Sequence, residues 1–332
     1  MRMWSRFLVV SWVVFSLVMS SCDPGDQPVP PLPPAQAQTD AVNMGSDYGL
    51  QIFYDLESAQ AVSQNDRSSW DLYFSSVHPQ GAIFLNGAKR MLAYNTGDTT
   101  LSAPVTVEAA EWSWDHPSGH PNLSVFADWA DEQGVSKRQV YVVDLGLDLN
   151  GLPLGFAKVQ VELFNGQRYV MRTAQLDGTN IRTVNVPVNA DLNGVALDLT
   201  TAEIVSFEPP KTDWDLLFSN YTETLWDGTD SLYYQVNGVL INRNNVVVGQ
   251  VEAASVDSVS RDEAIASLES TAQNGIGYEW KFFDFDTQTY AVVPNRVYII
   301  QSVEGNIFAL RFLGFYSPEG VKGAPEFEFK LL

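Results

Sequence analysis

Two histidines four residues apart, His116 and His120, stand in the stretch WSWDHPSGHPNL and are the first candidates for chemistry in this 332-residue chain. On a helix such a pair would aim two imidazoles at one ion. Pro117 and Gly119 forbid that helix, so the pair acts from a loop. With Asp115 it has the donor types of a zinc or copper site, the less favoured reading. The third histidine, His78, sits in the turn-like SSVHPQGA and reads as solvated. Asp144, Asp148, Asn150 and Gly151 hint at a calcium loop, but Gly146 breaks the alternation of oxygen ligands and leaves a hairpin turn. There is no glycine-rich phosphate loop. A Ser-His-Asp hydrolase would have to recruit a loop histidine with no nucleophile elbow near it. The reading is of a binding protein, not an enzyme.

The only cysteine is Cys22. It follows Arg2, Arg6, the uncharged run FLVVSWVVFSLVM and the small residues Ser20 and Ser21. A basic start, a short apolar core and small residues make a secretory signal peptide over 1–21, too short to span a membrane. A lone cysteine at its end is the acylated first residue of a lipoprotein, although Met19 stands where a lipobox has Leu or Val. In residues 22–47, Cys22 is followed by DPGDQPVPPLPPAQAQTD, which is rich in proline and without an aromatic residue, so they read as an extended tether. The expected place is the outer membrane or cell surface of a Gram-negative bacterium, held by lipid at Cys22. Loss of Arg2 and Arg6 with the leader leaves 17 Lys and Arg against 40 Asp and Glu, a net charge of −23. That charge excludes nucleic acid and anionic membrane surfaces as partners. A hydrophobic content of 45% keeps the chain globular despite it.

What positions the candidate residues is a repeat. YDLESAQAVSQNDRSSWDLYFS from Tyr54 returns as LDLTTAEIVSFEPPKTDWDLLFS from Leu197, and VYVVDLGLDLNGLPLGFAKVQVEL from Val140 is echoed by VYIIQSVEGNIFALRFLGF from Val297. Two echoes in one order indicate a tandem duplication. The expected fold is all-β, with two similar antiparallel β domains over 48–190 and 191–332. Short runs of Val, Ile, Tyr, Phe and Thr between Gly, Asn and Asp are strands and turns. In Trp-Asp-Leu-x-Phe the Trp, Leu and Phe alternate onto one face, which makes Trp70 and Trp214 architectural. SRDEAIASLESTA, with Ser260 and Glu263 as a capping box, predicts one short helix in the second domain.

WDLYFS with LNG, WDLLFSNYT and the ending from Arg296 to Leu332 resemble the HmuY family of haem-binding bacterial surface lipoproteins. The resemblance implies an all-β fold, tethering at the outer membrane, haem capture for iron acquisition and delivery to an outer-membrane receptor. Family members are expected to hold one such domain, where this chain reads as two. The family holds haem iron between His or Met side chains. The candidates that this implies are His116 and His120, with Met91 as a partner from another strand and Trp112 and Trp114 stacking on the macrocycle. Residues 191–332 contain no His, Met or Cys, and EWKFFDFDTQTY stands there where the family places a ligand. Haem is therefore expected in the first domain only. The alternative is a protein of the same fold that binds a protein or glycan through aromatic loops, with Tyr221, Trp226, Tyr233 and Tyr234 as its surface. Cys22→Ser should release the protein from membranes into the soluble fraction; an unchanged membrane pellet would contradict the lipid anchor.

Overall fold

The computed structural model describes residues 36–226 and 228–332. The signal peptide, Cys22 and most of the tether lie outside the described residues. In chain order the strands are β1 (Gln38–Ala41), β2 (Leu50–Asp55), β3 (Gln60–Asp66), β4 (Leu72–Ser75), β5 (Ile83–Leu85), β6 (Leu92–Asn95), β7 (Val140–Asp144), β8 (Phe156–Phe164), β9 (Arg168–Ala174) and β10 (Arg182–Pro187). They continue as β11 (Gly194–Asp198), β12 (Glu203–Val205), β13 (Leu216–Trp226), β14 (Ser231–Ile241) and β15 (Val247–Glu252). After helix α1 (Arg261–Ser267) come β16 (Lys281–Asp284), β17 (Thr289–Val292), β18 (Arg296–Gln301), β19 (Ile307–Tyr316) and β20 (Lys322–Leu331).

Four of the sheets stack. Their strand orders are β10-β9-β8-β7-β6, β12-β11-β4-β5, β14-β13-β2-β3 and β1-β20-β19-β18-β15. The two inner sheets are apolar on both faces, because successive side chains point to opposite sides of a strand. In β4, Leu72 and Phe74 join a core with the first outer sheet, while Tyr73 turns to the other inner sheet. In β13, Leu216 and Phe218 join the core with the second outer sheet, while Leu217 turns back. Three apolar layers thus separate four sheets. β19 is apolar on both faces as its sequence indicates, with Phe308 and Leu310 in the main core and Ile307 and Ala309 under α1. α1 starts at Ser260, whose hydroxyl accepts the Glu263 amide.

The repeats exchange their hairpins. β2 pairs with β13, Tyr54 opposite Leu216, and β11 pairs with β4, Leu197 opposite Leu72. One pair of sheets is therefore built from β4–β12, and the other from β1–β3 together with β13–β15 and β18–β20. A boundary at 190/191 is crossed by this pairing and does not divide the sheets. The tether also ends earlier than position 47: β1 pairs with β20, and Val42 and Met44 are buried in the core. Two apolar side chains next to an open strand edge outweigh the polar composition before them.

Trp-Asp-Leu recurs because its Asp closes the exchange. Asp71 Oδ2 accepts the amide of Leu199 at 2.7 Å, and Asp215 Oδ2 accepts the amide of Leu56 at 3.0 Å. Each leucine ends the Asp-Leu of the other repeat. Asn86 Nδ2 donates to the carbonyls of Arg67 and Trp70, and Asn242 Nδ2 to those of Lys211 and Trp214. Trp70 and Trp214 are both buried, but in one cluster between the inner sheets and not in separate domain cores. Phe207 lies 4.6 Å from Trp70 and 5.3 Å from Phe53, and Phe53 lies 4.8 Å from Trp214, between ring centroids. Trp70→Ala and Trp214→Ala should each cost about 3–5 kcal/mol. In thermal melts the double variant should lose at least about 0.5 kcal/mol less than the sum, because the contact of Phe207 with Phe53 links the two. Strict additivity, or two separate transitions, would contradict the shared cluster.

Candidate functional site

The strands of the β13–β14 hairpin run 11 residues each, from Leu216 opposite Ile241 out to Trp226 opposite Ser231. β16 and β17 form a separate two-stranded ribbon. A groove of about 600 Å³ has Tyr234 and Val236 of that hairpin, Phe282, Phe283 and Tyr290 of the ribbon, and Tyr48 and Phe315 among its walls. The rings support one another edge to face: Phe283 with Tyr290 at 5.3 Å, Tyr290 with Phe315 at 5.2 Å. Because the ribbon is not sandwiched, both faces of Lys-Phe-Phe-Asp can serve the surface. Phe282 stays half-exposed and Lys281 turns inward.

Lys281 is only 7% exposed. Its Nζ donates to the carbonyl of Asn237 and lies 4.2 Å from the Trp280 ring centroid and 4.8 Å from that of Phe315. Among the described residues no carboxylate comes within ion-pair distance of it. Burial without a counter-ion lowers its pKa to about 7. Arg296 also lines the groove and donates to the Glu279 carbonyl at 2.6 Å. The arrangement suits a flat, apolar ligand that carries a polar or anionic edge.

A second, narrower cleft of about 100 Å³ lies between the inner sheets. Arg243 reaches into it over the Phe84 ring, 4.2 Å from the centroid. Glu208 Oε1 accepts the Tyr73 hydroxyl at 3.1 Å and the Gly194 amide at 2.8 Å, and burial pushes its pKa up to about 7.

The structure does not bring His116, His120 and Met91 together as a ligand set. His116 and Met91 both line the narrow cleft, which His120 does not reach. Met91 is 1% exposed, in the core of the first pair of sheets. Both histidines are exposed and act as local caps: His116 Nδ1 accepts the Ser118 amide and His120 Nδ1 the Asn122 amide, each at 3.2 Å. A neutral imidazole that accepts at Nδ1 keeps its proton on Nε2 and offers no lone pair there. Asp115 is spent as well, its two oxygens accepting the amides of Leu85 and Val125 at 2.6 and 2.7 Å. Trp112 packs on Phe156 and Tyr94, and Trp114 donates to Thr224 and leans on Tyr233. Of the aromatic-loop residues, Tyr221 is buried, while Trp226 is 67% exposed. Asp148 does cap a turn, accepting the amides of Asn150 and Leu152. EWKFFDFDTQTY lacks His and Met, so a ligand pattern does not point to the groove; the signal it carries is a lysine flanked by Trp and two Phe.

Four stacked antiparallel sheets with a wide aromatic groove define an all-β protein with room for a sizeable flat ligand. The family model described as HmuY protein matches residues 47–329 in one span that covers both repeats, and the chain belongs to the HmuY family. Among solved structures the chain is similar to apo PinO from Porphyromonas gingivitis, at 12% identity and a TM-score of 0.30, covering 90% of this chain and 97% of that one. It is similar to an apo HmuY analog from Tannerella forsythia, at 8% identity and a TM-score of 0.25, covering 90% and 96%. A Bacteroides vulgatus protein assigned as HmuY-like and heme binding matches at 15% identity and a TM-score of 0.18, covering 52% and 90%. No curated protein is significantly similar to the chain. Among the described residues no helix is long and apolar enough to cross a membrane.

The buried Glu208 gives a pH prediction. Its folded pKa is raised above the unfolded value, so its contribution to stability is full below about pH 4.5 and is lost as pH rises through about 7. Glu208→Gln keeps an acceptor for Tyr73 and Gly194 and removes the titration. Between pH 5 and 8 the wild type should lose more stability than the variant, by up to about 3 kcal/mol in denaturant melts. Parallel pH profiles would contradict the assignment.

Proposed function

We propose that this protein is a lipid-anchored surface protein that captures haem, and that the haem lies in the groove between the β13–β14 hairpin and the β16–β17 ribbon. The observation that carries this reading is the groove itself. Its volume of about 600 Å³ falls in the range of small-molecule sites, where the narrow cleft does not. Its walls are rings, which stack on a flat macrocycle. Arg296 lines the groove and offers a cation to a propionate. The net negative charge of the chain opposes those propionates only at long range, since salt screens it over about 8 Å. Contacts inside the groove decide the affinity. Anchoring at Cys22 and transfer to an outer-membrane receptor belong to the same reading.

A second reading has its own observation. Trp226 and Phe285 are exposed by 67% and 79%, which suits a protein or glycan surface. Titration of the mature protein with haemin separates the two. A red-shifted Soret band should appear, Phe283→Ala and Tyr290→Ala should each weaken binding about tenfold, and the double variant His116→Ala with His120→Ala should bind as the wild type does. Loss of the shift only in the histidine variant would place haem at that loop. No shift at all would leave the second reading.

A further inference from the structure

The two repeats differ at the cleft between the inner sheets. Trp70 and Trp214 occupy equivalent positions, yet their indole N–H groups end differently. Trp70 Nε1 donates to Gln51 Oε1 at 3.0 Å. With Tyr54-Asp-Leu laid on Leu197-Asp-Leu, the position of Gln51 falls on Gly194, which has no side chain. A Cβ there would lie 2.4 Å from a ring carbon of Tyr73, so no acceptor can be carried at that position. Trp214 is 2% exposed, lines the cleft, and its Nε1 meets no acceptor among the described residues. A buried donor without a partner carries the full cost of its desolvation.

The second difference is a charge. LNG at 85–87 corresponds to INR at 241–243. Gly87 packs on the backbone of Thr222, where a Cβ would lie 3.1 Å from the amide nitrogen. In the other repeat Arg243 takes that position and reaches over Phe84 into the cleft. Gln273 Oε1 accepts one N–H of the guanidinium at 2.8 Å. Among the described residues no carboxylate comes within ion-pair distance of it. Asp115 spends its oxygens on the amides of Leu85 and Val125, and Glu208 Oε1 accepts from Tyr73 and Gly194. The loop that carries His116 closes over the guanidinium. The Ser118 carbonyl accepts the Gln273 amide at 2.9 Å, and a Cβ on Gly119 would lie 3.1 Å from Arg243 Nη2.

We propose that this cleft is a second binding site, which takes a small monocarboxylate of about two to four carbons. Its volume of about 100 Å³ lies between the space that holds one water and the roughly 150 Å³ that takes benzene. The guanidinium presents parallel N–H donors, which match the two oxygens of a carboxylate better than a single-atom anion. The Trp214 N–H donates to one of the same oxygens. Phe53, Phe84, Leu85 and Phe207 are among the other walls and suit a short alkyl tail. None of this depends on haem binding in the groove.

The test is calorimetric titration of the mature full chain with propionate and with propionamide, which has the same shape without the charge. Propionate should bind with a Kd at or below about 1 mM and at least about tenfold more tightly than the amide. In ¹⁵N-labelled protein the Trp214 indole resonance, identified by its absence in Trp214→Phe, should move as propionate is added. Arg243→Met should erase the preference for the charged ligand, and Trp214→Phe should weaken propionate about threefold. Equal affinity for propionate and propionamide, or an unchanged preference in Arg243→Met, overturns the proposal. So does hexanoate bound as tightly as propionate, a Trp214 resonance that stays in place, or no binding at all. Displacement of propionate by an equal concentration of chloride would mark an unspecific anion site and overturn it too. Should Arg243→Met fail to fold, the wild-type preference and the Trp214 resonance decide.

Discussion

Asp71 and Asp215 each hold the hairpin that the other repeat contributes, and the stack of sheets depends on that pair of contacts. Each carboxylate is buried and accepts a backbone amide that no strand partner satisfies. The two repeats meet the cost of the buried charge differently. Lys89 forms an ion pair with Asp71. At the equivalent place in the second half no lysine arrives; Asp55 and Glu57 crowd Asp215 instead, and burial with their repulsion pushes Asp215 up to about 7. One copy of the closure has a counter-ion beside it, and the other has acidic neighbours that add to the effect of burial.

The exchange also decides where a ligand can bind. With both inner sheets apolar on both faces, the space between them is filled by Trp70, Phe207, Phe53 and Trp214, and only a narrow cleft is left. Space for a larger molecule arises where strands outgrow the stack. β13 and β14 do so, and the ribbon of β16 and β17 inserted before β18 supplies a facing wall. The first half has nothing equivalent: between β6 and β7 it carries the irregular segment with His116 and His120, whose side chains cap their own turns.

Much of this was legible in the sequence. The repeat, the strand alternation of Trp-Asp-Leu-x-Phe, the helix cap at Ser260 and the double-faced β19 follow from local rules, because each depends on neighbours within a few positions. The hairpin exchange does not, since YDL pairs equally well with either WDL and only the three-dimensional closure chooses. The same limit explains the site. By residue type the neutral iron ligands are His116, His120 and Met91, while the groove is assembled from Tyr48, Tyr234, Phe283 and Phe315, residues drawn from separate segments of the chain. Lys281 is unremarked by type. What distinguishes it is burial beside Trp280 without a counter-ion, a property of packing that composition does not carry.

The most direct measurement is an iron anomalous difference map from crystals of the mature protein grown with haemin. The account predicts one peak, in the groove between the β13–β14 hairpin and the β16–β17 ribbon. A peak beside His116 or His120, or in the cleft between the inner sheets, would contradict it.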